Sequence, residues 1–352
     1  MNLKYKADWN KSQARFTAFW EQEIVDRAVV LAMAPKGKSF PPGWCRILDE
    51  EAQNSIETVA GKMEQLFDNL YFAGDAYPMW YPNLGPGVLT AFTGSRIFYD
   101  VNKSTSWQAH SMLSLENYHP QLEADGLWAK TLEINKFISR LAAGKFIAGI
   151  CDLGTGADLI SNVIGPEALC MEIMDNPEQI KRLLKEFFEI WKICYSALYK
   201  EFPEGNGSCC WLQTWAPGTS YPLQNDFSCM VSEQTFRELF LEDLKSYCDW
   251  LEYPVYHLDG ANATRHLDAL LEIKNLRAIQ WTAGAGAAAL PAWIPMLRRI
   301  QDAGKGVFIY VHPHELDYVI EGLRPEGIVL HVFADSPETA DMAVAKVARW
   351  SK

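Results

Sequence analysis

The segment YPVYHLDG, residues 253–260, places a histidine two positions before an aspartate at an Asp-Gly corner. In a β-strand such residues point to the same face, so His257 and Asp259 could together hold a metal ion or a substrate group. The alternative is structural, because Asp259-Gly260 can form a turn to which His257 hydrogen-bonds. We take both residues as candidate catalytic residues and metal ligands.

Four of the seven histidines, at 257, 312, 314 and 331, fall at the ends of apolar runs. His312 is a candidate acid/base residue, although the Pro313 that follows it also fits the entry to a helix. His331 lies within LHVFA, where a lone histidine can instead be buried with a backbone partner. Convergence of the histidines on one end of a sheet would create a catalytic mouth.

Other polar and aromatic residues follow the same runs. Trp215 and Trp281 could form pocket walls or simply belong to the core. Carboxylates at 75, 152, 226 and 259 would add a negative field, which favours a neutral or cationic ligand over a polyanion. The predicted substrate-binding residues are Trp80, Tyr81, Asn83, Asp152, Gln213, Trp215, Asp226 and Trp281.

These residues need a scaffold that brings strand ends together. Eight short apolar runs alternate with stretches of helical periodicity, a pattern that predicts a parallel sheet in a (β/α)₈ TIM barrel, an α/β fold whose active site lies at the carboxyl ends of the strands. A doubly wound sheet would need a Gly-rich phosphate turn, which the sequence lacks. The runs are 27–34, 70–81, 145–153, 208–216, 254–260, 277–284, 306–313 and 327–334.

The predicted organisation is an N-terminal helical extension over residues 1–25, followed by a single barrel domain over residues 26–352. Segments 82–130 and 216–232 are rich in Gly, Pro and Asn, and we expect enlarged loops there after strands two and four. Residues 177–199 show the clearest helix, with Asn176 and Pro177 at its start.

Charge, composition and missing motifs argue against several classes of partner and of enzyme. The net charge of −12 and pI near 5.1 argue against nucleic acid or an anionic membrane as partner. No secretory signal and no long apolar run is present, so we expect a cytoplasmic protein. The eight cysteines are scattered without a CxxC motif, which predicts reduced thiols. Gly-x-Ser-x-Gly, His-Glu-x-x-His and EF-hand motifs are also missing.

Four segments carry a family resemblance. NLGPGVLTAFTGSRIFYD, DLISNVIGPEALCMEIMDNPEQIKRLLKE, LQNDFSCMVSEQTFRELFLEDL and YHLDG, in this order, resemble the uroporphyrinogen decarboxylase-like superfamily over most of residues 20–350. The resemblance implies a (β/α)₈ barrel. It also implies either a decarboxylase or a methyltransferase that moves methyl groups to or from corrinoid (cobalamin-type) proteins or thiols.

The resemblance favours the methyltransferase branch. Decarboxylases of the superfamily begin with an arginine-bearing segment, and here the corresponding region offers only Lys36 and Lys38. Zinc-dependent methyltransferases of the superfamily carry His-x-Cys on strand five and a later Cys, where this sequence has His257-Leu258-Asp259 and, 72 positions on, His331. The implied metal set is therefore His257, Asp259 and His331, for zinc or another divalent ion.

Three hypotheses follow. The first is a methyltransferase that handles a small methylated substrate at the barrel mouth and passes the methyl group to a corrinoid partner protein. The second is a metal- or acid/base-dependent lyase or hydrolase for a sugar-like or hydroxylated molecule. The third is a ligand-binding barrel without catalysis. The resemblance also implies a homodimer, since dimers are common in the superfamily.

Overall fold

A computed structural model describes residues 3–40, 55–100, 105–110 and 115–352 of the chain. It shows a mixed α/β fold with a main sheet of seven strands. These strands are β1 (Val29–Pro35), β2 (Leu70–Gly74), β7 (Ser220–Leu223), β8 (Tyr253–Asp259), β9 (Ala278–Thr282), β10 (Gly306–Val311) and β11 (Ile328–Phe333). Their order in the sheet is β2-β1-β11-β10-β9-β8-β7, and all pairings are parallel except that of β2 with β1.

Two smaller sheets complete the described strands. β3 (Met79–Trp80) pairs in parallel with β6 (Ile147–Ala148), and β4 (Ile97–Asp100) pairs antiparallel with β5 (Thr105–Gln108). The β4–β5 pair lies inside the segment that we expected to be an enlarged loop.

Helices separate the strands along the chain. α8 (Glu233–Thr235) continues through a π-helical turn (Phe236–Phe240) into α9 (Leu241–Trp250). Short 3₁₀ segments follow several strands, and one of them, Asp226–Met230, follows β7. The other helices are α1 (Trp9–Trp20), α2 (Ile56–Asp68), α3 (Leu89–Phe92), α4 (Gly126–Ala142), α5 (Ala157–Ile164), α6 (Pro166–Asp175), α7 (Pro177–Tyr199), α10 (Leu267–Leu271), α11 (Ile294–Asp302), α12 (Leu316–Gly322) and α13 (Pro337–Trp350).

Six of the eight predicted strand runs supply strands of the main sheet, namely β1, β2 and β8 to β11. The run 70–81 splits into β2 and β3, of which only β2 belongs to this sheet. Gly74 has φ +62°, and a Cβ there would lie 2.3 Å from the Val30 carbonyl oxygen, so the chain turns sharply where the prediction continued straight. The run 208–216 holds only an isolated bridge between Ser208 and Ala216.

Hydrogen bonds among the described strands do not close them into one sheet, so the closed (β/α)₈ barrel stays a prediction. The inward side chains nevertheless share one core. The inner cluster combines Val29 of β1, Met79 of β3, Ile147 of β6 and Val255 of β8, and α1 covers it. The outer faces of the same strands pack against the surrounding helices in a second, larger cluster.

α1, within the predicted N-terminal extension, is tied to the sheet by buried ion pairs. Arg15 donates to Asp75 at 2.9 Å, and Arg27 binds the other oxygen of the same carboxylate. Asp75 is fully buried and also accepts from the Val30 amide near the start of β1. The two arginines therefore neutralise the negative charge of Asp75 near the start of β1. Asp75 does not add to the negative field at the carboxyl ends of the strands.

Within the described residues, no helix combines the length and apolarity needed to cross a lipid bilayer.

Candidate functional site

Three side chains converge where β7 and β8 end. His257 and Asp259 project from the same face of β8, and Asp226 opens the 3₁₀ segment after β7. One ligand atom from each lies within 4.8 Å of the other two, which defines the single group of three potential metal ligands among the described residues. We call Asp226, His257 and Asp259 the acidic triad.

The orientation of His257 is fixed by its neighbour on β9. Gln280 is fully buried, and its side-chain amide donates to Thr282 Oγ1 at 2.8 Å, which turns its Oε1 toward His257 Nδ1. Because a carbonyl oxygen can only accept, Nδ1 carries the proton. Nε2 is then left with a free lone pair, the arrangement found in metal-binding histidines.

An aromatic ring covers the other side of His257. Trp211 meets the imidazole edge-on, with ring centroids 5.0 Å apart. Trp211 lies in the irregular segment between Ser208 and Ala216, whose side-chain directions do not follow strand alternation. Gln213, two residues after Trp211, has a φ of +59°, so the chain turns away from an extended course there.

Asp158 supports the triad from the start of α5. Its two carboxylate oxygens accept from the backbone amides of Asp226 and Phe227, each at 2.8 Å. Burial and then the nearby Asp226 charge raise the pKa of Asp158 to about 7. Burial also raises the pKa of Asp226, against the opposing effect of His257 and with the added effect of Asp259.

Asp152 adds a further carboxylate close by. Its Oδ1 accepts from the Gly154 amide at 3.1 Å and from the Tyr221 hydroxyl at 3.3 Å. Burial raises its pKa to about 6 despite these hydrogen bonds, and the charge of Asp226 acts in the same direction. Like charges this close make protonation, a cationic ligand or a metal ion favourable.

His331 faces the interior from β11 and lies outside the triad. It is 4% exposed and is surrounded by the rings of Phe308, Tyr310 and Phe333, with the closest centroid at 4.6 Å. Among the described residues neither of its ring nitrogens has a hydrogen-bond partner, so the backbone partner considered above is absent. Burial lowers its pKa to about 3, which keeps the imidazole neutral.

His312 is exposed at the end of β10. It caps the 3₁₀ turn Pro313–Glu315, where its backbone amide donates to the Glu315 carboxylate at 2.8 Å. Its ring stacks on that of His314 with centroids 5.4 Å apart. The structure thus shows the helix entry that Pro313 indicated.

The two predicted wall residues lie in the core. Trp215 is 3% exposed and packs against Trp9 of α1, with Nε1 bonded to the Asn206 carbonyl at 2.6 Å. Trp281 is equally buried on the outer face of β9 and contacts Trp293. Their indoles are used in packing, so we do not assign them to a ligand pocket.

The remaining predicted residues are dispersed. Trp80 is buried in a third apolar cluster beside Phe146. Tyr81 is half-buried and contacts both main clusters, and Asn83 accepts from the Gly85 amide at 3.4 Å. The Gln213 carbonyl accepts from the Tyr77 hydroxyl at 3.0 Å.

Comparisons with known proteins show the fold. No protein-family model matches the sequence, and no curated protein does either. A solved structure, a methyltransferase from Methanosarcina mazei, is similar with a TM-score of 0.62 at 12% sequence identity, covering 97% of this chain and 99% of that chain. At this identity the likeness shows a shared fold.

Proposed function

We propose that this chain is an enzyme that binds a divalent cation at the acidic triad and handles a small methylated substrate there, passing the methyl group to a corrinoid partner protein. The convergence of Asp226, His257 and Asp259 within 4.8 Å carries the proposal. The likeness in fold to a methyltransferase and the resemblance of four segments to the uroporphyrinogen decarboxylase-like superfamily support it.

The donor set fits a borderline or hard divalent ion. Two carboxylates and one imidazole with a free Nε2 suit zinc, manganese or ferrous iron, and three protein ligands leave a position for substrate. Asp226 takes the third place for which the resemblance implied His331. When bound, such an ion would polarise a substrate oxygen or nitrogen.

Thiol chemistry at this site is poorly supported. Cys229 is the thiol near the triad, and burial, followed by the charges of Asp226 and Asp158, raises its pKa. A protonated thiol is a weak ligand and a weak nucleophile. We therefore propose methyl removal from an amine or ether rather than activation of a thiol acceptor by a thiolate-bound metal.

Individual side chains would have separate roles at the proposed metal site. His257 and Asp259 would hold the ion, and Gln280 would keep the imidazole in the tautomer that binds it. Asp158, whose two carboxylate oxygens accept from the amides of Asp226 and Phe227, would hold the segment that carries Asp226 in place.

The test is methyl transfer itself. Purified protein is incubated with zinc, a panel of methylated amines and ethers, and a Co(I) corrinoid protein, and methylcobalamin formation is followed by absorbance. We expect a product with at least one substrate and its loss in Asp259→Asn. Asp249→Asn, a substitution of an exposed carboxylate, is the matched control. No methylcobalamin with any substrate would refute the proposal.

A second candidate function rests on the same donor set. Without thiolates, and with the further carboxylates of Asp152 and Asp158 beside the triad, the site also suits a metal-dependent lyase or hydrolase acting on a sugar-like or hydroxylated molecule. Turnover of such compounds without any corrinoid, again lost in Asp259→Asn, would favour this function.

A further inference from the structure

The two carboxylates of the acidic triad come from separate segments of the chain. Asp226 opens the 3₁₀ segment Asp226–Met230, and Asp259 ends β8 and leads through Gly260 into a second 3₁₀ segment, Ala261–His266. Burial and, after it, the charge of Asp259 raise the pKa of Asp226 against the opposing effect of His257. Without a bound cation, repulsion between the two carboxylates favours separation of the segments that carry them.

A buried histidine joins these two segments. His266 is fully buried, and its Nε2 lies 2.9 Å from the backbone carbonyl oxygen of Ser228. Because a carbonyl oxygen can only accept, Nε2 carries a proton and donates the hydrogen bond. Among the described residues this is the single hydrogen bond between the segments Asp226–Met230 and Ala261–His266.

An aromatic ring holds the imidazole of His266 from its face. Phe236, the first residue of the π-helical turn, stacks on it with ring centroids 4.4 Å apart and ring planes 19° from parallel. π-helical turns of this kind are frequent at functional sites. The stack and the hydrogen bond together fix the ring in one orientation, with its Nε2 proton directed at Ser228.

Packing alone does not account for a histidine at this position. Its Nδ1 is buried and has no hydrogen-bond partner among the described residues, and such an atom lowers stability. Burial lowers the pKa of His266 despite the opposing effect of the hydrogen bond to Ser228, so the ring is neutral at pH 7. A phenylalanine would make the same stack on Phe236 without an unpaired nitrogen. What histidine adds here is the Nε2 donor.

We propose that His266 is a positioning residue of the acidic triad, whose hydrogen bond to Ser228 holds the Asp226 carboxylate beside the other two triad members before an ion is bound. The inference rests on the proposed function, because metal affinity is the property that this positioning raises. Ligands that are already in place strengthen binding, since less of the protein has to be ordered when the ion arrives.

Two substitutions separate the hydrogen bond from the packing. His266→Phe keeps a ring that stacks on Phe236 and removes the donor, whereas His266→Gln keeps a side-chain N–H in a similar place. The Ser228 carbonyl also accepts from the Val231 amide at 3.1 Å, so it keeps a partner in both variants. We therefore expect both variants to fold, and thermal unfolding in EDTA checks this.

Titration of the metal-free proteins with Co²⁺ measures the effect on the triad. We expect His266→Phe to bind Co²⁺ about 10-fold more weakly than the wild type, and His266→Gln to recover most of that loss. Unchanged affinity in a folded His266→Phe protein would overturn the proposal. An equal loss in both variants would overturn it as well, because the loss would then come from packing.

Amide hydrogen exchange in EDTA tests the same role without any metal. The Asp226 and Phe227 amides, which donate to Asp158, should exchange on the order of 10-fold faster in His266→Phe, while amides of β10 keep their wild-type rates. Unchanged exchange, or a uniform increase over the whole chain, would overturn the proposal. Wild-type protein that binds no Co²⁺ but shows this local change refutes the proposed function and supports the role of His266.

Should His266→Phe fail to fold, nitrogen-15 spectra of the wild type decide the matter. A neutral His266 ring with its proton on Nε2 at pH 7 supports the proposal, and a ring with its proton on Nδ1 contradicts it.

Discussion

Replacing Gln280 by leucine tests whether this residue prepares His257 for metal binding. Gln280 is fully buried, its Oε1 accepts the Nδ1 proton of His257, and its amide is held by Thr282 at 2.8 Å. Leucine offers no acceptor, so the imidazole loses the contact that fixes its tautomer and orientation. Removing a partner of this kind lowers metal affinity by about 10- to 100-fold, which is about 1.4–2.7 kcal/mol.

The assay is titration of metal-free protein with Co²⁺, followed by visible absorption and calorimetry. Gln280→Glu, which keeps an acceptor oxygen, should retain or raise the affinity, because carboxylate-histidine-metal arrangements are common. Thr282→Val should give a smaller loss than Gln280→Leu, since it removes only the group that orients the amide. A folded Gln280→Leu protein with wild-type Co²⁺ affinity would show that our account of His257 is mistaken.

Three further predictions concern the core. Asp75→Asn should lower the free energy of unfolding by about 3–5 kcal/mol in urea titrations, because it leaves Arg27 buried without its carboxylate partner and Arg15 paired only with the exposed Asp26; no change would contradict this. His331→Phe should make stability less sensitive to acid. The folded pKa of about 3 lies below the unfolded 6.5, so the wild type loses about 1.4 kcal/mol per pH unit below 6.5 until about pH 3, and an unchanged pH profile would refute the assignment. Trp215→Ala should lower the free energy of unfolding by about 3–5 kcal/mol yet leave metal affinity unchanged, because the indole packs against α1. Weaker metal binding in the folded variant would instead show that Trp215 lines the ligand pocket.

The sequence pattern located the strands that are long and rich in β-branched residues. β1, β10 and β11 are buried apolar runs bounded by loops, and hydrophobic patterning detects such strands directly. β7, Ser220–Leu223, was missed because it is short and contains Pro222, which argues against a central strand. β7 is an edge strand of the seven-stranded sheet. Proline fits an edge strand because one side of such a strand makes no ladder hydrogen bonds within the sheet.

The candidate site was only partly accessible to sequence reasoning. The two-residue spacing of His257 and Asp259 predicts a shared face, and both belong to the acidic triad. The third member, Asp226, could not be identified as a partner of these two residues, because its position depends on how the chain folds back after β7. Spacing along the chain cannot decide between Asp226 and His331, because tertiary contacts set their distances to β8.

The tryptophans illustrate the same limit. Trp211 and Trp215 belong to one irregular segment, yet one contacts His257 and the other packs on α1. A positive φ at Gln213 lies between them, so the alternation of a regular strand does not apply. Composition identifies such tryptophans as candidates for either a pocket or the core. Which of these a given tryptophan occupies is decided by the course of the backbone in three dimensions.

Metal content is the most direct test of the central claim. The purified protein is dialysed against Zn²⁺, Mn²⁺ or Co²⁺, freed of loosely bound ions and measured by inductively coupled plasma mass spectrometry. We predict one tightly bound divalent ion per chain in the wild type and its loss in Asp226→Asn, His257→Ala and Asp259→Asn, with Asp249→Asn unchanged. Wild-type protein that retains none of the three ions, or triad variants that bind them as well as the wild type, would contradict the account.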